Sequence, residues 1–166
     1  LCKINFTIRN NYKWLEESNI EIPSKKFALV IPGGSGKRKY KRIPISTYKK
    51  ILEFLIYKRI KPLLIGAQDD LEICKLLSCQ FDETINLCNK TTIGNIFFLS
   101  KYAYCSIGND TGPMHLIAKG NKKTVVLFTK FSDPKLCAPR GKKVKILKFS
   151  KDDEYFLVKI KKSILN

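Results

Sequence analysis

Short apolar runs recur along this chain, each the length of one buried strand and each followed by a polar loop and a helix-forming stretch. The runs are Phe27 to Ile31 (FALVI), Leu63 to Ile65, Thr84 to Leu87, Ala103 to Ile107, Thr124 to Phe128 (TVVLF) and Val144 to Leu147. Most are aliphatic throughout, without the polar alternation of a half-exposed strand, so they require cover on both faces. Strands alternating with helices build βαβ units, which predicts an α/β fold: a doubly wound parallel sheet with helices on both sides. In that architecture ligands bind outside the carboxyl ends of the strands, where the strand order reverses. Three polar loops fall at such ends: Gly33–Lys41, Gly66–Asp70 and Gly108–Gly112.

The helices have readable starts. Ser46 is placed to cap a helix running to about Lys58, with Tyr48, Ile51, Leu52 and Leu55 on one face. Asp69 and Glu72 form a capping box for a helix through Leu77. Thr91 or Thr92 begins a third, and Ser150 with Asp153 caps a last one whose inner face carries Phe156, Leu157 and Ile160. Ahead of the first strand, Asn11 to Ser18 reads as a short helix and Ile22-Pro23-Ser24 as a linker. Residues 1–26 are thus an entry segment, and 27–166 form one domain of ordinary size.

The run Ala103 to Ile107 breaks at Gly108-Asn109-Asp110, and Thr111-Gly112-Pro113 opens the helix Met114 to Ala118, with Pro113 suited to its first turn. Two readings of Asp110 stand side by side. It or Thr111 caps the helix, or Asp110 accepts hydrogen bonds from hydroxyls of a ligand whose phosphate lies beside it. The second reading describes a nucleotide sugar. His115, in the first turn, is expected to face inward and pack. The loop Pro32-Gly33-Gly34-Ser35-Gly36 offers backbone donors beside the basic run Lys37 to Arg42. It is not a Walker A loop, because glycine would be needed at Ile31 and Ser or Thr at Arg38. An ordinary solvated loop is its alternative.

Net charge is +18, which raises a nucleic-acid partner. Lysine supplies nearly all of it and is spread through every segment, whereas a nucleic-acid face gathers its cations; no nucleic acid is expected. The six cysteines show no C-x-x-C pair and the sole histidine is His115, so no metal site is expected and the thiols read as reduced and mostly buried. No apolar run approaches the ~20 residues of a membrane span.

With these loops in hand, the chain resembles the C-terminal, donor-binding half of a family-9 glycosyltransferase, the ADP-heptose:lipopolysaccharide heptosyltransferases of GT-B, Rossmann-like architecture. Asn109 to His115 (NDTGPMH) is similar to the family's D-[ST]-G-x-x-H turn. Pro32 to Gly36 with Lys41 resembles its phosphate loop, Gly66 to Asp70 (GAQDD) its nucleoside loop, and Ser132-Asp133-Pro134 its T-D-P stretch. Ile43 stands where the family often has Trp, and Asp70 where it often has Glu.

The resemblance implies that Asp110 binds donor-sugar hydroxyls. It implies that Ser35, Gly36, Lys41, Thr111 and Gly112 hold the diphosphate and that Asp70 lies at the ribose. Transfer from a nucleoside-diphosphate sugar, ADP-heptose in the family, would proceed with inversion onto a lipid-linked oligosaccharide acceptor, without metal or other cofactor. The general base would come from an N-terminal acceptor domain that this chain lacks, so no catalytic base is named. The implied location is cytoplasmic, with peripheral contact at the anionic inner face of a bacterial inner membrane as a further expectation. A non-catalytic nucleotide-binding module is the remaining alternative.

Overall fold

The computed structural model describes residues 12, 15, 19–23, 26–149 and 153–166. Six strands, β1 (Phe27–Ile31), β2 (Lys61–Leu64), β3 (Ile85–Asn86), β4 (Cys105–Asn109), β5 (Lys123–Phe128) and β6 (Val144–Lys148), form one sheet. Their order is β3-β2-β1-β4-β5-β6, and every neighbouring pair is parallel. The connecting helices are α1 (Ile45–Tyr57), α2 (Leu71–Gln80), α3 (Ile93–Tyr102), α4 (Gly112–Ile117) and α5 (Pro134–Cys137), with α6 (Asp153–Leu165) after the last strand. From β1 the chain winds outward to β3, returns to the other flank of β1 as β4, and winds outward again. The order therefore reverses between β1 and β4, and the crevice of a doubly wound sheet opens there.

Two apolar layers clamp the sheet, divided by the strand period of two. In β1, Ala28 and Val30 join Tyr48, Ile51, Leu52 and Leu55 of α1 and Phe156 and Ile160 of α6. Phe27, Leu29 and Ile31 point the other way, to Ile96 and Leu99 of α3 and Met114 and Ile117 of α4. Burying each Leu or Ile fully contributes about 1.5–3 kcal/mol, so a strand buried on both faces is fixed in register by its own composition.

Several boundaries move from their expected places. β4 runs through Gly108 and Asn109, which read as the break, while Ala103 ends α3 instead of opening the strand. Gly108 belongs inside the strand for a packing reason: a Cβ there would sit 2.6 Å from the Cβ of Ile31 on β1. The strand predicted over Thr84 to Leu87 shortens to Ile85–Asn86, and β2 starts earlier, at Lys61. Ser46 does not cap α1, whose N-cap position is Pro44 with no side-chain bond. The box predicted for Asp69 and Glu72 does not form: α2 has no side-chain cap bond, and two residues earlier Asp70 Oδ2 accepts from Ala67 N–H at 3.0 Å. Thr92 is the cap of α3, its Oγ1 accepting from Asn95 N–H at 3.1 Å. The cap predicted at Ser150 and Asp153, and most of the predicted helix over Asn11 to Ser18, lie outside the described residues. Of the described cysteines, Cys74, Cys88 and Cys105 are buried, Cys137 half-buried and Cys79 exposed, all as free thiols.

Candidate functional site

The three strand-end loops meet in one cleft of about 540 Å³ over the carboxyl ends of β1, β2 and β4. One wall is the glycine loop after β1 locked to the loop after β2; the other is the turn after β4.

The first wall is bonded to itself. Asp70, 6% exposed, accepts from Gly34 N–H at 2.8 Å through Oδ1 and from Ala67 N–H through Oδ2. Its Oδ1 also pairs with Arg42 Nη2 at 3.0 Å. The same Nη2 reaches the carbonyl oxygen of Gly34. Gly36 N–H donates to Asp69 Oδ2 at 2.9 Å. The glycines are obligatory at this seam, since a Cβ on Gly33 would lie 2.0 Å from Asp70 Oδ1 and one on Gly66 2.7 Å from Asp70 Cβ. Behind the wall the Cys88 thiol donates to Ala67 O at 3.3 Å. Burial first, then the neighbouring Cys88, pushes the Cys74 thiol far above the ordinary range, so both stay protonated at neutral pH.

Asn109, the last residue of β4, joins the walls from beneath. It is 2% exposed and uses its whole amide. Nδ2 donates to Pro32 O at 2.7 Å and Gly33 O at 2.9 Å, while Oδ1 accepts from Ile43 N–H at 3.2 Å and Tyr48 O–H at 2.9 Å. Burial raises the Tyr48 phenol well above its usual value, keeping its proton available for that bond.

The second wall is far less satisfied. Asp110 Oδ2 accepts from Ser132 Oγ at 2.8 Å and faces Lys41 Nζ at 3.8 Å, an ion pair too long for a direct hydrogen bond. Both contacts fall on one oxygen. Thr111 occupies the N-cap position of α4 but makes no capping bond, and its buried Oγ1 has no hydrogen-bond partner. Gly112 follows with nothing within 4 Å of where a Cβ would stand. At the far end Thr91 lines the cleft with its own buried, unpartnered Oγ1.

All seven expected site residues, Ser35, Gly36, Lys41, Asp70, Asp110, Thr111 and Gly112, therefore come to this cleft or its immediate edge. Asp110 is not the helix cap. His115 does not face inward: it is exposed and lines the cleft. Sequence reasoning missed Asn109 and Arg42. Apart from Gly34, 8 residues before Arg42, their partners stand 27 to 77 residues away in the chain, and the only local sign was a polar residue set between a strand and a glycine turn. Among the described residues no three His, Cys, Asp or Glu side chains are placed to share a metal ion, and no helix is long and apolar enough to cross a membrane.

Known proteins share this fold. E. coli ADP-heptose lps heptosyltransferase II superposes over 85% of this chain and 47% of its own with a TM-score of 0.74 at 20% identity. E. coli heptosyltransferase WaaC with ADP does so over 86% and 46%, also at 0.74, with 18% identity. At such identities the likeness establishes the fold, that of the GT-B heptosyltransferases. The chain spans about half the length of these structures. Lipooligosaccharide heptosyltransferase 2 of Campylobacter jejuni subsp. jejuni serotype O:2 is 46% identical over 65 residues, 37% of this chain and 20% of that protein. Residues 6–163 match the family described as glycosyltransferase family 9 (heptosyltransferase). A match over nearly the whole chain makes this chain a member of glycosyltransferase family 9.

Proposed function

We propose that this chain is the donor-binding half of a heptosyltransferase-like enzyme, holding a nucleoside-diphosphate sugar, an ADP-sugar by preference, in the cleft between β1 and β4. The observation that carries the reading is the second wall. Gly112 leaves open space that no protein atom requires, next to a buried Thr111 hydroxyl with no partner. A buried hydroxyl left unbonded costs about 1–3 kcal/mol, and a ligand oxygen at that spot removes the cost.

In this reading the diphosphate lies along Thr111, Gly112 and Ser35, with Lys41 turning from Asp110 to a phosphate oxygen. The 3.8 Å separation of that ion pair is loose enough to be exchanged. Asp110 Oδ1, which accepts no bond among the described residues, takes the sugar hydroxyls. Asp70 acts near the ribose through the loops, because its oxygens are committed to Gly34, Ala67 and Arg42. Bond cleavage places negative charge on the departing diphosphate, and fixed N–H donors with Lys41 stabilise that charge as it develops. The acceptor is of the lipooligosaccharide or lipopolysaccharide core type. A general base for its hydroxyl is assigned to the part of the family's fold that this chain does not span. The soluble half would then work at the cytoplasmic face of the membrane that carries the acceptor.

Thermal denaturation with a panel of nucleoside diphosphates tests the donor assignment. ADP at 100 times its Kd should add about 2.7 kcal/mol to stability. A folded sample that no nucleotide stabilises would remove the reading.

A further inference from the structure

Tyr40 and Phe131 stand at the rim of the cleft, each more than half exposed, at 56% and 52%. Their rings meet edge to face with centroids 5.1 Å apart, although one belongs to the loop after β1 and the other to the loop after β5. Each immediately precedes a residue that faces Asp110: Lys41 follows Tyr40, and Ser132 follows Phe131. The ring pair therefore marks the end of the cleft at Asp110, away from Asn89 and Thr91. Cations neighbour both rings along the chain. Lys37, Arg38 and Lys39 are exposed on the same short segment as Tyr40, and Lys130 Nζ lies 5.1 Å from the Phe131 ring centre.

What sets these two rings apart is their mutual contact beside the residues at Asp110, which joins them into one aromatic surface next to the cleft. The apolar C–H faces of a pyranose stack on such rings, and the neighbouring ammonium and guanidinium groups complement carboxylate or phosphate substituents. We propose that the Tyr40–Phe131 pair is a platform for the acceptor, binding an anionic oligosaccharide next to the donor sugar. The platform rests on the donor reading for the identity of its neighbour, but its own ligand can be measured separately.

The experiment is an NMR titration of the full chain, with ring-labelled Tyr and Phe, against delipidated lipooligosaccharide, run with and without ADP. Tyr40 and Phe131 resonances should move in both series. Y40A/F131A should bind the oligosaccharide at least tenfold more weakly, while its ADP affinity stays within twofold. Neutral maltotriose should bind more weakly than the anionic oligosaccharide, and raising salt should narrow that gap. Because both residues are exposed, the double variant should melt with the parent, and Y40F should bind like it. Oligosaccharide binding that ignores the rings, or no binding by the parent, overturns the platform. Ring-dependent binding to phosphatidylglycerol vesicles in place of the saccharide would also overturn it, as the rings would then be a membrane contact. Failure of ADP to bind speaks only against the donor reading, since the nucleotide-free series decides the platform alone.

Discussion

The two walls of the cleft carry similar residues and use them in opposite ways. Asp70 and Asp110 are both acidic residues in segments that follow strands of the sheet, and both are paired with a cation. Asp70 spends its oxygens on Gly34, Ala67 and Arg42, in a seam so tight that Gly33 and Gly66 have no room for a Cβ. Asp110 loads one oxygen, holds its lysine at a distance, and neighbours an unpartnered hydroxyl and an open glycine. The difference separates architecture from recognition: a group that is satisfied within the chain shapes the site, and a group left wanting is aimed at something else. Removing a residue from the first wall should unfold or loosen the protein, while removing one from the second should leave the fold and damage binding.

The severest test is Asn109, which lies between the walls. Asn109→Leu orphans the Ile43 N–H and the carbonyls of Pro32 and Gly33, and leaves the Tyr48 hydroxyl only its bond to Ile31 O. At about 1–3 kcal/mol for each buried orphan, the total approaches the whole stability of an ordinary domain. Urea denaturation should find the variant unfolded or nearly so. A stable variant would mean that the walls hold without their tie.

Arg42→Met comes next. It leaves the Asp70 carboxylate buried and unpaired, and losing one partner of such a pair costs about 3–5 kcal/mol. Adding Asp70→Asn should restore part of the loss, because the uncompensated charge is gone. Chemical denaturation of the two single variants and the double closes the cycle. Additive losses would show that Arg42 and Asp70 act independently and that the first wall is not a unit.

These tests also mark what the sequence disclosed. The strands were legible because double-sided burial writes itself as uninterrupted aliphatic runs such as FALVI and TVVLF. The cleft was legible because parallel strands place their following loops together, so three polar loops at strand ends had to converge. The role of Asp70 was not legible: nothing local says that its oxygens will meet Gly34 and Arg42, 36 and 28 residues earlier. Nor was the cap of α1, where Ser46 looks competent but the helix begins at Ile45 after Pro44. Proline already fixes the backbone entry there and makes a side-chain cap unnecessary. His115 was misplaced because α4 is so short that a helical period cannot say which face turns inward.

On the second wall, Asp110→Asn keeps size and the capacity to accept from Ser132 while removing the charge. Stability without ligand should change little. A nucleotide sugar should bind about 1.5–3 kcal/mol more weakly, as its hydroxyls lose a charge-assisted acceptor. ADP has no such hydroxyls beyond its ribose and should bind unchanged, or slightly tighter as a nearby negative charge disappears. Calorimetric titration of both ligands into both proteins reads the difference. Equal losses for the two would move Asp110 to the architectural side of the comparison.

The smallest change gives the cleanest contrast. Gly112→Ala adds one methyl group where nothing lies within 4 Å and where the backbone is not in the left-handed range. At the start of α4, alanine is also the better helix former, so the melting temperature without ligand should hold or rise slightly. If a diphosphate packs against the Gly112 backbone, that methyl occupies its place, and ADP affinity should fall at least tenfold, about 1.4 kcal/mol. The same one-carbon addition at Gly33 meets Asp70 at once and should lower stability before any ligand is added. Measuring melting temperature and ADP affinity for both alanine variants therefore sorts the glycines into those the protein needs and the one its ligand needs. An ADP affinity untouched by Gly112→Ala would place the diphosphate elsewhere in the cleft and leave the glycine as a connection between β4 and α4.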